Sequence, residues 1–301
     1  MQSIWIKWYN EDNQEWSEML MLELLDPRVD VIFKRIFGSE HNKDVLLAFL
    51  NSTFREAGEP PLTEIVLLNP YTEPDSPNDK QSIMDIKAKT AKGELLNIEM
   101  QLFNPYHMEK RTLFYWSEMY YHQIPKGGNY NTLKKCVTIN ILNYSCLPND
   151  RYHSVFHLRE DRTGIKLVDD IEIHIMELTK LSEHSAELEE GGLVNWLLFL
   201  KGVDQSNWEV LTMKEPMLKK AMDTLEFLSQ DTAARLAYDA RMKALSDEVS
   251  LIESAQKFAE EKGRAETSKE IAIRLLERGV DLQTVSEATG LSVEEVKGLK
   301  Q

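Results

Sequence analysis

The stretch Glu94-Leu-Leu-Asn-Ile-Glu-Met-Gln-Leu-Phe103 constrains this chain more than any other. Leu96, Ile98, Met100 and Leu102 alternate with Asn97, Glu99, Gln101 and Phe103, the period of a strand buried on one face. Glu99 and Gln101 then point the same way. Upstream, residues 82–90 read as a second strand, and Ala91-Lys92-Gly93 as a three-residue hairpin loop closed by a glycine in the left-handed conformation. A loop of that length sets Asp85 opposite Glu99 and Lys87 opposite Asn97, while Met84 meets Met100 and Ile86 meets Ile98 on the other face. A two-residue loop would separate the two acids and lose the apolar match.

Two carboxylates roughly 5 Å apart between β-carbons repel unless something cationic lies between them. A divalent ion does this, and Mg²⁺ commonly takes one or two carboxylates. A solvated polar face balanced by Lys87 or Lys89 does it as well, and spacing alone leaves both readings open.

Around this hairpin, the apolar spacing of residues 30–50 predicts two short helices broken by Gly38, and Glu64 to Leu68 a short buried strand. Residues 107–123 predict a helix, and residues 136–142, 153–158 and 171–177 three further strands. From Glu183 onward helix formers dominate, with a glycine-closed joint ending at Gly192. The expected organisation is an N-terminal extension at 1–20, an α/β domain at 21–182, and an all-helical region at 193–301. Within that last region, long helices are expected at about 231–261 and 269–278. Its end has Asp281 as an N-cap and Ser292 with Glu295 as a capping box, the layout of a helix-turn-helix pair.

These residues resemble the core of the PD-(D/E)XK nuclease superfamily, and more closely the bacterial recombination-promoting nuclease and putative transposase (Rpn-type) family. The resemblance runs over roughly residues 20–180. It rests on Leu25-Asp-Pro-Arg-Val-Asp-Val-Ile-Phe-Lys-Arg-Ile-Phe-Gly38, Leu68-Asn-Pro70, Asp79-Lys-Gln-Ser-Ile-Met-Asp85, Asn97-Ile-Glu-Met-Gln101, Arg111-Thr-Leu-Phe-Tyr-Trp-Ser117 and Leu133-Lys-Lys-Cys-Val137. It implies an α/β fold, a mixed central sheet flanked by helices, and metal-dependent hydrolysis of DNA phosphodiesters linked to recombination, transposition or defence against mobile DNA.

Under that resemblance Asp85, Glu99 and the backbone carbonyl of Met100 hold one or two Mg²⁺ or Mn²⁺ ions. Gln101 stands where the superfamily often has lysine: a neutral amide orients water but brings no charge. Lys80 and Lys87 are the candidates for the missing cation. Asp30 is either the acid a helix contributes to the metal shell or an N-terminal helix acid favourable to the dipole. Arg111, Tyr115, Tyr120 and Tyr121 belong either to a DNA-facing surface or to the core. The competing class is a catalytically weak nuclease fold serving as a DNA- or protein-interaction module under control of its helical tail, and Gln101 is the residue that favours it.

Other chemistries find little support. The seven histidines, His41, His107, His122, His153, His157, His174 and His184, are read as forming no compact zinc-ligand group, and no phosphate-binding glycine loop occurs. Two cysteines, Cys136 and Cys146, fit a reducing compartment. Residues 1–18 lack the apolar stretch of a signal peptide, and no run approaches the roughly 20 residues of a membrane span. A soluble cytoplasmic protein without membrane partners is expected.

Charge first speaks against DNA: 35 basic against 50 acidic side chains give a net −15. Residues 80–135, however, hold nine basic and five acidic side chains, and two of those acids are Asp85 and Glu99. The tail carries Glu294 and Glu295 against Lys297 and Lys300, so packing or self-association into a homo-oligomer is the expected use of its last helix rather than base reading.

Overall fold

The computed structural model of the chain describes residues 3–10, 15–69, 84–104, 107–181, 192–202, 211–213 and 215–299, with side chains from Glu23 onward. It divides into two compact units, Met1–Arg241 and Met242–Gln301.

The first unit is built on a mixed six-stranded sheet of order β3-β4-β5-β6-β8-β7. Its strands are β3 (Ile65–Leu68), β4 (Ile86–Thr90), β5 (Leu95–Gln101), β6 (Cys136–Leu142), β7 (His153–His157) and β8 (Ile171–Glu177). β5, β6 and β8 run parallel, and β3, β4 and β7 pair antiparallel with their neighbours. β6 is buried along its whole length, as a central parallel strand must be.

One face of the sheet packs on α1 (Asp30–Phe37), α2 (Lys43–Glu56), α4 (Leu193–Lys201) and α5 (Pro216–Gln230). Phe37 is the hub there: its ring centroid lies 4.9 Å from Phe33, 5.6 Å from Phe49 and 6.0 Å from Trp196. The other face is covered by α3 (Met108–Tyr121), the crossover between β5 and β6, through Met108, Tyr115 and Met119.

The hairpin has the expected register, with Ile86 paired to Ile98, Lys87 to Asn97 and Gly93 at φ +86° closing the loop. The regular ladder, however, starts only at Ile86 and Asp85 sits in a bend. Alternation therefore does not extend back to Met84, which packs on the α3 side with Tyr115, Met119 and Cys136 instead of facing Met100.

Three further differences concern organisation. Within the extension expected at 1–20 lie the paired strands β1 (Ser3–Asn10) and β2 (Glu15–Glu23), the second running past its expected end. The compact unit continues past the joint expected at 183–192, because α4 and α5 bury Trp196, Phe199, Leu218 and Leu225 in the same core as α1 and α2. The two long helices expected in the tail are one, α6 (Thr232–Glu277). Gly263 does not break it, since a lone glycine in a helix costs only about 1 kcal/mol and the ion pairs Lys262–Glu266 and Arg264–Glu260 span the position.

In the second unit α7 (Leu282–Thr289) and α8 (Val293–Gly298) close on the end of α6 around Ala272, Val285 and Val296. Asp281 caps α7 by accepting from the N–H groups of Gln283 and Thr284, and Ser292 with Glu295 forms the capping box of α8. Among the described residues no helix is long and apolar enough to cross a membrane.

Candidate active site

The site lies where β5 outruns β4. β4 begins at Ile86, so the N–H of Met100, which points toward that side, has no strand partner. The Asp85 carboxylate takes its place: Oδ2 accepts from Met100 N at 2.9 Å. The Asp85 N–H in turn donates to Glu99 Oε1 at 3.3 Å, and Gln101 Nε2 donates to Glu99 Oε2 at 3.3 Å. Because N–H and C=O of one strand residue point the same way, the Met100 carbonyl also faces the Asp85 side. Three oxygen-bearing groups thus converge, with Glu99 only 1% exposed.

Cations reach the acids from three helices. Lys34 Nζ, one turn after Asp30 on α1, is 3.0 Å from Asp85 Oδ1, and its charge is held by Asp85, Asp30 and Glu99 against the cost of burial. Arg111 of α3 stands 4.0 Å from Glu99 Oε2, its Nε donating to Tyr115 Oη at 3.0 Å. Arg241 of α6 donates from Nε to Asp30 Oδ1 at 2.8 Å. These cations do not neutralise the pair fully. Burial first, and then the neighbouring Asp85 charge, push the Glu99 carboxyl up to about 8, and burial also raises Asp85. Burial and the second carboxylate thus disfavour the charged form of the pair, and its donors are hard oxygens, the set a divalent cation such as Mg²⁺ or Mn²⁺ takes.

Of the residues singled out in the sequence, Asp85, Glu99, Met100 and Gln101 come together, and Asp30 stands beside them across Lys34. Lys87 does not join them: burial lowers its pKa, and the titratable groups beside it are Glu118 and the Cys136 thiol, not Asp85 or Glu99. Lys80 lies outside the described residues. Tyr115 is buried with its hydroxyl turned to Arg111, Tyr120 bonds Asp170, and Tyr121 is exposed. The cations on Asp85 and Asp30, Lys34 and Arg241, were not singled out. Lys34 had one available signal, its position one turn after Asp30 on the polar side of an otherwise apolar helix; Arg241, 211 residues away from its partner, had none.

Residues 27–255 match the family described as PD-(D/E)XK nuclease family transposase. Residues 265–301 match the C-terminal helix-turn-helix domain of the Rpn/YhgA-like nuclease family. No curated protein and no solved structure matches the chain. With the first match spanning most of its length, the chain belongs to the PD-(D/E)XK nuclease family transposases, and the mixed sheet with flanking helices and a helical tail is the architecture of that class.

Proposed function

We propose that this protein is a divalent-metal-dependent endonuclease that hydrolyses DNA phosphodiester bonds in the movement or removal of mobile DNA. The observation that carries this reading is the pair of adjacent, largely buried carboxylates, Asp85 and Glu99, at the open end of β5. Asp85, Glu99 and the Met100 carbonyl are the groups to hold Mg²⁺, with Asp30 within reach as a further carboxylate. When bound, the ion supplies Lewis acidity toward the phosphate and a water of lowered pKa.

The chain's own groups do the rest. Gln101, on the face of Glu99, orients water through its amide without adding charge. Lys34 brings the cation that this position lacks and is placed to stabilise negative charge developing on the phosphate. Arg111, whose Nε is taken by Tyr115 and which stands beside Glu99, is the guanidinium to offer donors to a phosphate oxygen.

The test is cleavage of supercoiled plasmid by the purified protein with Mg²⁺, with Mn²⁺ and with EDTA, beside Asp85→Asn and Glu99→Gln. Metal-dependent nicking or cutting abolished by both substitutions is the expected result. No cleavage by the parent, or cleavage that survives both, sinks the reading.

A second reading, a weak nuclease fold working as an interaction module, is favoured by Gln101 alone; Lys34 answers it, because the missing charge comes from α1. For the tail, the family match supports an interaction with DNA. Its last helix opens on Glu294 and Glu295, and Leu251 and Phe258 on α6 are 71% and 69% exposed, which supports self-association through the tail helices. Sedimentation of the full chain beside Leu251→Ser/Phe258→Ser tests this, and a monomer in both ends it.

A further inference from the structure

A second group of ligating side chains sits near the starts of the parallel strands, where Glu99 lies near the end of β5. In the β7–β8 pair His157 stands opposite Glu172. Glu172 is fully buried: its Oε1 contacts His174 Nε2 at 2.7 Å, and its Oε2 contacts His157 Nε2 at 3.1 Å and Lys135 Nζ at 2.5 Å. Glu59, from the turn after α2, completes the set. One ligand atom each from Glu59, His157 and Glu172 lie within 4.8 Å of one another, the one such trio among the described residues.

We propose that Glu59, His157 and Glu172 form a binding site for a first-row transition-metal ion, Zn²⁺ or an ion of similar preference, separate from the Asp85–Glu99 pair. One imidazole nitrogen with two carboxylate oxygens is a borderline donor set, suited to Zn²⁺ and its neighbours more than to Mg²⁺. His153 and His157 are four residues apart, but on a strand the two rings share a face without meeting one ion.

The surroundings have the features of a built site. His174 fixes the Glu172 carboxylate, and is itself fixed by His153, whose ring stacks on it at 5.2 Å with Nε2···Nδ1 at 2.9 Å. Chains of partners behind the ligands are what hold metal-binding side chains in one orientation. Lys135 is the countercharge to be displaced, and Asp169 Oδ2, 3.6 Å from its ammonium, offers it another carboxylate. Of the three ligands, Glu59 lines a cavity of about 320 Å³ together with Lys135 and Asp169, so that side of the group is open to water. Bound there, an ion ties the turn between α2 and β3 to the edge strand β7.

The test uses the full chain carrying Asp85→Asn and Glu99→Gln, so that the first site is silent and the outcome is independent of the nuclease reading. Co²⁺ is titrated by visible absorption and Zn²⁺ by calorimetry. The expected result is one equivalent bound, with a ligand-field band for Co²⁺, and affinity reduced at least ~10-fold when His157→Ala or Glu59→Gln is added. Glu59 lies on a surface turn and its amide is isosteric, so that variant keeps the fold. No saturable binding, or binding unchanged by both additions, overturns the proposal.

Discussion

The Lys34 ammonium lies 3.0 Å from Asp85 Oδ1, joining the first helix of the core to the acid that precedes the second strand of its sheet. In an endonuclease this contact supplies the positive charge that Gln101 does not. Lys34→Ala is expected to reduce plasmid cleavage about 100-fold, the typical loss on removing one charge-stabilising donor, and Lys34→Arg to recover part of it. Equal cleavage by all three proteins would remove Lys34 from the mechanism.

The raised Glu99 carboxyl makes stability depend on pH and metal together. Its folded pKa, about 8, lies above the ordinary 4.5, so the metal-free fold is favoured while Glu99 holds its proton. That contribution is fully present below pH 4.5 and is lost as pH rises through 8. Thermal unfolding in EDTA should therefore show Tm falling between pH 5 and pH 8. Mg²⁺ should restore Tm at the upper end, and Glu99→Gln should flatten both responses. A metal-free Tm that climbs across this window contradicts the assignment.

Trp196 ties the segment after residue 192 to the nuclease core. Trp196→Ala, which empties a fully buried site among Phe37 and Phe49, should cost about 3–5 kcal/mol by chemical denaturation. A fragment limited to residues 21–182 should fail to give a cooperative unfolding transition, since it lacks α4 and α5, two of the four helices that cover one face of the sheet. A cooperative fragment would show that α4 and α5 are dispensable.

Gly38 lets the end of α1 close on β4. A β-carbon there would meet the Lys34 carbonyl oxygen at 2.8 Å and Ile86 Cγ1 at 3.2 Å. Gly38→Ala should lower stability by roughly 1–3 kcal/mol and, by pushing α1 off the strand, weaken cleavage through Lys34. Unchanged stability would mean that helix and strand separate freely.

What the sequence made legible follows the range of each signal. The pairing of Ile86 with Ile98 and of Lys87 with Asn97 was readable because loop length and apolar alternation both act within a few residues. The caps at Asp281 and Ser292 are equally local. Lys34 on Asp85, Arg111 on Glu99 and Arg241 on Asp30 are contacts between elements distant in sequence, and periodicity carries no information about which helices meet. The joint at 183–192 looked like a boundary because composition changes there, yet burial, and not composition, decides which helices share a core.

The bond from Met100 N to Asp85 Oδ2 gives the proposed metal ligand a structural duty. Replacing it with a residue that cannot accept would leave a main-chain amide stranded inside the protein, a penalty of about 1–3 kcal/mol. Asparagine retains an acceptor at the same reach while surrendering the charge. A lineage that keeps the scaffold must keep an acceptor here whether or not it keeps the charge, so asparagine at this position, with Lys34 exchanged for a neutral residue, is one mark by which a copy that has given up cutting would be recognised.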